Sequence, residues 1–233
     1  MLKVDDISTC GWEAAMTGMR NPLNSWALSD SNLACNIERT DTNLALYGDK
    51  LDKYDYIIGA NDMTLATKLI KAGSEHRKFL RMIHVQMNIT APLYWWKEYE
   101  TYKVGTTANS CSTMHKIAAN PFYLNDFSHE HLSGGALATL KVVVKELNSC
   151  RDTYLNNPCK DNWWQMIQLL PSSYNQMRTV DMSMETVLNI IAQRHNHKLD
   201  EWVHLCEQML EQIPYCREFY EAYTGGKTDE CKD

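Results

Sequence analysis

Apolar positions recur at helical spacing through the second half of the chain. Leu137, Leu140, Val143, Val144 and Leu147 share one face of a predicted helix over residues 134–147. Residues 163–170 form a second helical run that stops at Pro171. Residues 187–191 and 199–213 predict two more amphipathic helices; Pro214 closes or kinks the latter, and residues 217–223 continue it. Upstream, Met63, Leu65, Ala66, Leu69 and Ile70 have helical spacing, with Asn61-Asp62 as the predicted N-cap and Gly73 as the end. Val85, Met87 and Ile89 alternate with Gln86, Asn88 and Thr90, which predicts a strand with one buried face. Pro92 sits where a helix can start, and the aromatic run from Leu93 to Tyr102 predicts one. Residues 103–112 are small and polar and predict a loop. Turns are predicted at Asn21-Pro22 and Tyr47-Gly48-Asp49, but the mixed pattern of residues 4–56 assigns no element. The chain from Thr224 onward is predicted to fray.

Only 10 Gly and 6 Pro interrupt 233 residues, so the helices should be long. The expected fold class is α+β: a helix-rich single domain around a modest, mainly antiparallel sheet. The expected organisation is an N-terminal segment (residues 1–60) packing on a core (residues 61–223), then a flexible tail (residues 224–233). Residues 128–135 read as a connection inside one domain.

Charge narrows the partners. With 23 basic and 29 acidic residues the net charge is −6, which argues against wrapping polymeric nucleic acid through a general basic surface. A single phosphate needs only a local cluster of cations and stays allowed. The eight cysteines show no C-x-x-C and no disulfide framework. Residues 1–6 have no apolar signal core, and no stretch has the ~20 apolar residues of a membrane helix. These readings predict a cytoplasmic protein with free thiols.

Candidate chemistry is sparse. His195-x-His197 and His204-x-Cys206 bring four soft ligands close in sequence, but two residues apart on a helix is two different faces, so no metal site is expected. His129-x-His131 fails likewise. Trp95, Trp96, Tyr99 and Tyr102 lie among Lys97, Glu98, Glu100 and Lys103. That pattern fits an aromatic core face with a solvated charged face, or, with Tyr94, a platform on which a base stacks. G-x-G-x-x-G, Walker and G-x-S-x-G motifs are absent.

Four ordered segments resemble the flavin-dependent thymidylate synthase family. Glu75-His76-Arg77-Lys78-Phe79 matches E-H-x-x-F before the strand. Ala91-Pro92-Leu93-Tyr94 leads into Thr101-Tyr102-Lys103-Val104-Gly105-Thr106, where the family has R-H-R-x-x-S. Asn109-Ser110-Cys111-Ser112-Thr113-Met114-His115 lies where it has N-x-x-S-x-R-Y. Leu170-Pro171, Ser183-Met184-Glu185, Arg194 and Glu201-Trp202-Val203-His204 follow the order L-P, N-x-R, R and Q-W-E-I. The resemblance spans about residues 61–223.

The resemblance implies FAD as cofactor and a pyrimidine nucleotide such as dUMP as substrate. A one-carbon unit would come from methylenetetrahydrofolate, reduced flavin would supply hydride, and NADPH would enter only if that reaction is kept. It implies His76, Lys103, Thr106 and Asn109 at the cofactor, and Ser112, Arg194 and Arg178 at the substrate. It also implies a homotetramer whose sites are shared between subunits. No catalytic side chain is implied. The alternative is a nucleotide-binding or sequestering homologue that kept the fold and lost the flavin site. The departures bear on that choice: Thr101 and Tyr102 replace two motif cations, Met114 replaces an arginine, and Glu185 reverses the charge of another. Lys103 keeps a point charge without a bidentate fork. Lys78, Arg77, Arg81, Lys97 and Arg178 are candidate replacement cations.

Overall fold

A computed structural model describes residues 2–225. In chain order the elements are β1 (Lys3–Cys10), α1 (Trp12–Arg20), β2 (Asn32–Leu33), α2 (Asp41–Tyr47), α3 (Lys50–Lys53), β3 (Tyr56–Ile57), α4 (Ala60–Lys71), β4 (His84–Pro92), α5 (Leu93–Tyr99), β5 (Thr106–Ser110), α6 (Gly134–Asn156), α7 (Lys160–Leu169), β6 (Asn175–Ser183), α8 (Met184–Arg194), α9 (Asp200–Gln212) and α10 (Cys216–Tyr223), joined in places by short 3-10 turns. The fold is α+β. Four strands make an antiparallel sheet in the order β1-β4-β6-β5, and β2 and β3 form a small antiparallel ladder with Leu33 opposite Tyr56. The predicted fraying from Thr224 falls, beyond Gly225, outside the described residues.

The chain divides into two compact units: Met1–Asp6 with Met87–Val180, and Ile7–Gln86 with Asp181–Asp233. In the first, α6 and α7 are joined by three residues and pack on each other as a helical hairpin. Leu140, Val144 and Leu147 sit at spacings of four and three, so one stripe of α6 meets Met166, Phe122 and Phe127 in a buried cluster. Most of β4 is in this unit, where Met87, Ile89 and Ala91 are buried and Asn88 and Thr90 are partly open, as period two requires. The helix that follows buries Trp95, Trp96 and Tyr99, and the 3-10 turn after it buries Tyr102; the two tryptophans have ring centroids 4.9 Å apart. This cluster is therefore core, and its rings offer no open stacking platform. The Trp96 indole donates to the Gln176 carbonyl at 2.9 Å, which satisfies its polar end.

In the second unit, α10 packs against α4, α8 and α9. Helix α8 buries Met184, Val187, Leu188, Ile190 and Ile191, and α9 buries Trp202, Leu205, Cys206 and Met209. Each such side chain contributes roughly 1.5–3 kcal/mol on burial, far more than intrinsic helix propensity, so tertiary packing holds these short helices.

Two local expectations are corrected, and one unassigned stretch is filled in. The N-cap of α4 is Gly59, not Asn61-Asp62. Its free N–H groups are capped from a distance by Asp30, which accepts from Asn61 N at 2.9 Å and Asp62 N at 3.0 Å. Asp62 is instead fully buried, where Arg20 pairs with it and the hydroxyls of Ser29 and Ser31 donate to it. Residues 106–110, read as loop, form the edge strand β5; an edge strand needs backbone partners but no buried face. The unassigned N-terminal stretch holds β1 and α1, which meet at Gly11 with φ +87°.

Candidate functional site

Five of the seven expected site residues lie in the first unit, on or beside the β5–β6 edge. Lys103 follows the α5 helical stretch and is exposed. Gly105, with φ +75°, turns the chain into β5, where Thr106 is half-buried and Asn109 exposed. The Thr106 hydroxyl donates to the Tyr102 carbonyl at 2.8 Å, leaving its oxygen lone pairs as acceptors. Ser112 is exposed just past the strand, and its hydroxyl accepts the His115 N–H at 2.9 Å in a local turn.

Arg178 reaches this segment through one intermediary. It donates to the Gln176 side-chain oxygen at 3.1 Å, and Gln176 donates to the Cys111 carbonyl at 2.8 Å. Cys111 N in turn bonds the Met177 carbonyl at 3.0 Å, which locks the end of β5 to β6. The guanidinium also lies 4.4 Å from the Trp96 ring centre and pairs with Glu100 at 3.0 Å. Arg178 is thus held by three groups of the chain: Gln176, Trp96 and Glu100. Gln176 and Glu100 went unseen in sequence. Gln176 carried no motif, and Glu100 read as one charge on a solvated face.

The other two residues lie in the second unit. His76 sits in the turn after α4, exposed, with its N–H on the Gly73 carbonyl at 3.0 Å. It borders an apolar cavity of about 240 Å³ floored by Met19 and Phe79, with Glu75 and Lys78 at its rim. Arg194 ends α8 with its guanidinium 4.9 Å from the Trp202 ring centre.

The replacement cations of this unit are largely engaged. Arg77 bonds Glu185 at 3.0 Å and lies 4.3 Å from the Tyr223 ring centre, and Arg81 bonds the same carboxylate. Burial alone would raise the Glu185 carboxyl, but Arg81 and Arg77 outweigh it and hold it below its ordinary value of 4.5. Ser183, the other half of that motif, caps α8 by accepting from Thr186 N. Lys78 remains exposed, as does Lys97 in the first unit.

Thiol and metal chemistry find little here. All seven described cysteines are free, and burial pushes the Cys206 thiol up to about 12, away from reactivity. Among the described residues no cluster of three His, Cys, Asp or Glu could hold a metal ion, and no helix is long and apolar enough to cross a membrane.

Of the residues expected at a flavin phosphate, Lys103 offers a cation and Asn109 an amide, which fit it in part, whereas the Thr106 hydroxyl has its proton on the Tyr102 carbonyl. This segment lacks the paired guanidinium forks of the family motif, and Arg178 is already neutralised by Glu100.

No protein-family model matches the chain, and no curated protein matches it. Solved structures do. A crystal structure of thymidylate synthase X (ThyX) from Helicobacter pylori with FAD and dUMP is similar at TM-score 0.63 and 13% identity, covering 96% of this chain and 99% of that one. A second structure of flavin-dependent ThyX from the same organism, also with FAD and dUMP, gives 0.62 and 14%, covering 96% and 98%. The chain has the ThyX fold over nearly its whole length.

Proposed function

We propose that this protein is a divergent flavin-dependent thymidylate synthase-like protein that binds a pyrimidine nucleotide and a flavin and transfers a one-carbon unit between small molecules. The observation that carries the reading is the whole-chain match to an enzyme fold solved with FAD and dUMP. In this reading Lys103 and Asn109 hold a flavin phosphate, Thr106 joins them when its hydroxyl turns from the Tyr102 carbonyl to the phosphate, and His76 lies at the cofactor. Ser112, Arg194 and Arg178 serve the nucleotide in a homotetramer. Bound flavin would supply hydride. The residues' own work is to bind and orient, which needs no strong side-chain nucleophile.

A specific observation favours a second reading, a nucleotide-binding homologue without the reaction. Glu185 stands where the resemblance expects a guanidinium, and it consumes two arginines. Each lost charge-assisted phosphate contact costs roughly 1.5–3 kcal/mol, so three losses weaken binding by several decades unless replaced.

Absorbance of the purified protein, before and after added FAD, separates the two. The first reading expects flavin bands and a spectral shift on adding dUMP. A colourless protein that no flavin reconstitutes but that still binds dUMP in calorimetry establishes the second. Failure to bind either ligand rejects both.

A further inference from the structure

We propose a second ligand site, carried by geometry and independent of the fold-based reading. It is a cavity of about 370 Å³ in the first unit that takes a nucleotide whose base has a lactam edge, an N–H beside a C=O. Its volume is that of a small-molecule pocket, and a few polar residues line it among apolar ones.

The wall is aromatic and rigid. Phe122 and Tyr174 meet edge to face with ring centres 6.3 Å apart, and Tyr174 packs on buried Phe127 at 5.6 Å. The Phe122 backbone is clamped on both sides by the Asn148 side chain of α6, which accepts its N–H and donates to its C=O, each at 2.8 Å. Beside this fixed wall the Tyr123 ring is 63% exposed, an open flat face of the kind on which bases stack.

Four polar ends share the cavity. Among the described residues, no hydrogen bond or ion pair within the chain engages the Lys116 ammonium, the Asn120 amide or the Tyr174 hydroxyl. Asp126 spends one carboxylate oxygen on the Tyr123 N–H at 2.7 Å, and among the described residues no donor engages its other oxygen. A carboxylate oxygen accepts a ring N–H, and an amide NH₂ donates to the adjacent carbonyl. Guanine and uracil present that pair. Adenine presents a ring acceptor instead, which would face the carboxylate unpaired. Lys116 supplies the point charge for a phosphate.

The test is calorimetry on the full chain with GMP, dUMP and AMP. GMP or dUMP should bind at least about tenfold more tightly than AMP, because a site built for hydrogen bonds rejects the analogue lacking them. Lys116→Ala and Asn120→Ala should each weaken binding about tenfold. Asp126→Asn keeps an oxygen for the Tyr123 N–H, so the turn survives while the preference over AMP shrinks. Circular dichroism establishes that the variants fold. Equal binding of AMP overturns the lactam assignment. No binding of any of the three overturns the site, whatever the flavin spectrum says about the fold-based reading. A response that survives both Lys116→Ala and Asn120→Ala also overturns it; if Arg194→Ala then removes that response, binding belongs to the fold-based site.

Discussion

At position 185 a carboxylate replaces the guanidinium that the resemblance expects, and Arg77 and Arg81 hold it from the turn before β4. The Arg77 arm is the stronger structural tie, because both of its side chains are mostly buried. Arg81 is half-exposed and its share is screened. Glu185→Gln should therefore cost about 1–2 kcal/mol at neutral pH. The folded carboxyl lies below 4.5, so its contribution is full above that value and fades as pH falls through the folded pKa. Urea midpoints of the two proteins should differ at pH 7 and converge in acid. A constant gap would assign the effect to something other than ionisation. The buried Arg20–Asp62 pair obeys the same sign. Burial pushes the Asp62 carboxyl up, but Ser31, Ser29 and Arg20 outweigh it and hold it low. None of these partnerships could be read from sequence, since Arg20 and Asp62 lie 42 positions apart and Arg77 and Glu185 108.

Elements differed in how openly they announced themselves. β4 was legible because Val85, Met87 and Ile89 are buried on one face while His84 and Gln86 are exposed. β6 was missed. It buries Gln176 alongside Val180 and Met182 and exposes Met177, so its polarity pattern runs against its burial pattern. β5 gives no strand signal in sequence, because an exposed edge strand of Thr, Ala, Asn and Ser has backbone pairing but no hydrophobic face. The start of α1 shows a constraint of another kind. A Cβ on Gly11 would lie 2.0 Å from the Met82 carbonyl oxygen, and its φ of +87° already disfavours any side chain. Gly11→Ala should lower stability by about 2 kcal/mol or more, read as a fall in thermal midpoint. An unchanged midpoint would mean that the 82–83 backbone does not pack against this turn.

For the molecule as a whole, the proposed homotetramer gives the simplest check. Light scattering should return four times the 26.9 kDa chain mass. A strict monomer would remove the shared sites on which the fold-based reading depends. It would leave the pocket at Lys116, Asn120 and Asp126 untouched, because that pocket lies within one unit of one chain.

By itself the sequence determined the helix-rich α+β class and the alternating strand at Val85, and it put Lys103, Thr106, Asn109 and Ser112 on one short segment. Helical and strand periodicities, and neighbours along the chain, are local properties. Only the tertiary structure decided that Arg178 is tied through Gln176 to the Cys111 carbonyl at the end of β5, that Trp95, Trp96, Tyr99 and Tyr102 are core, and that Glu185 consumes two arginines. Each of these depends on which distant side chain supplies the partner for a buried polar or aromatic group, and that is fixed by packing rather than by pattern.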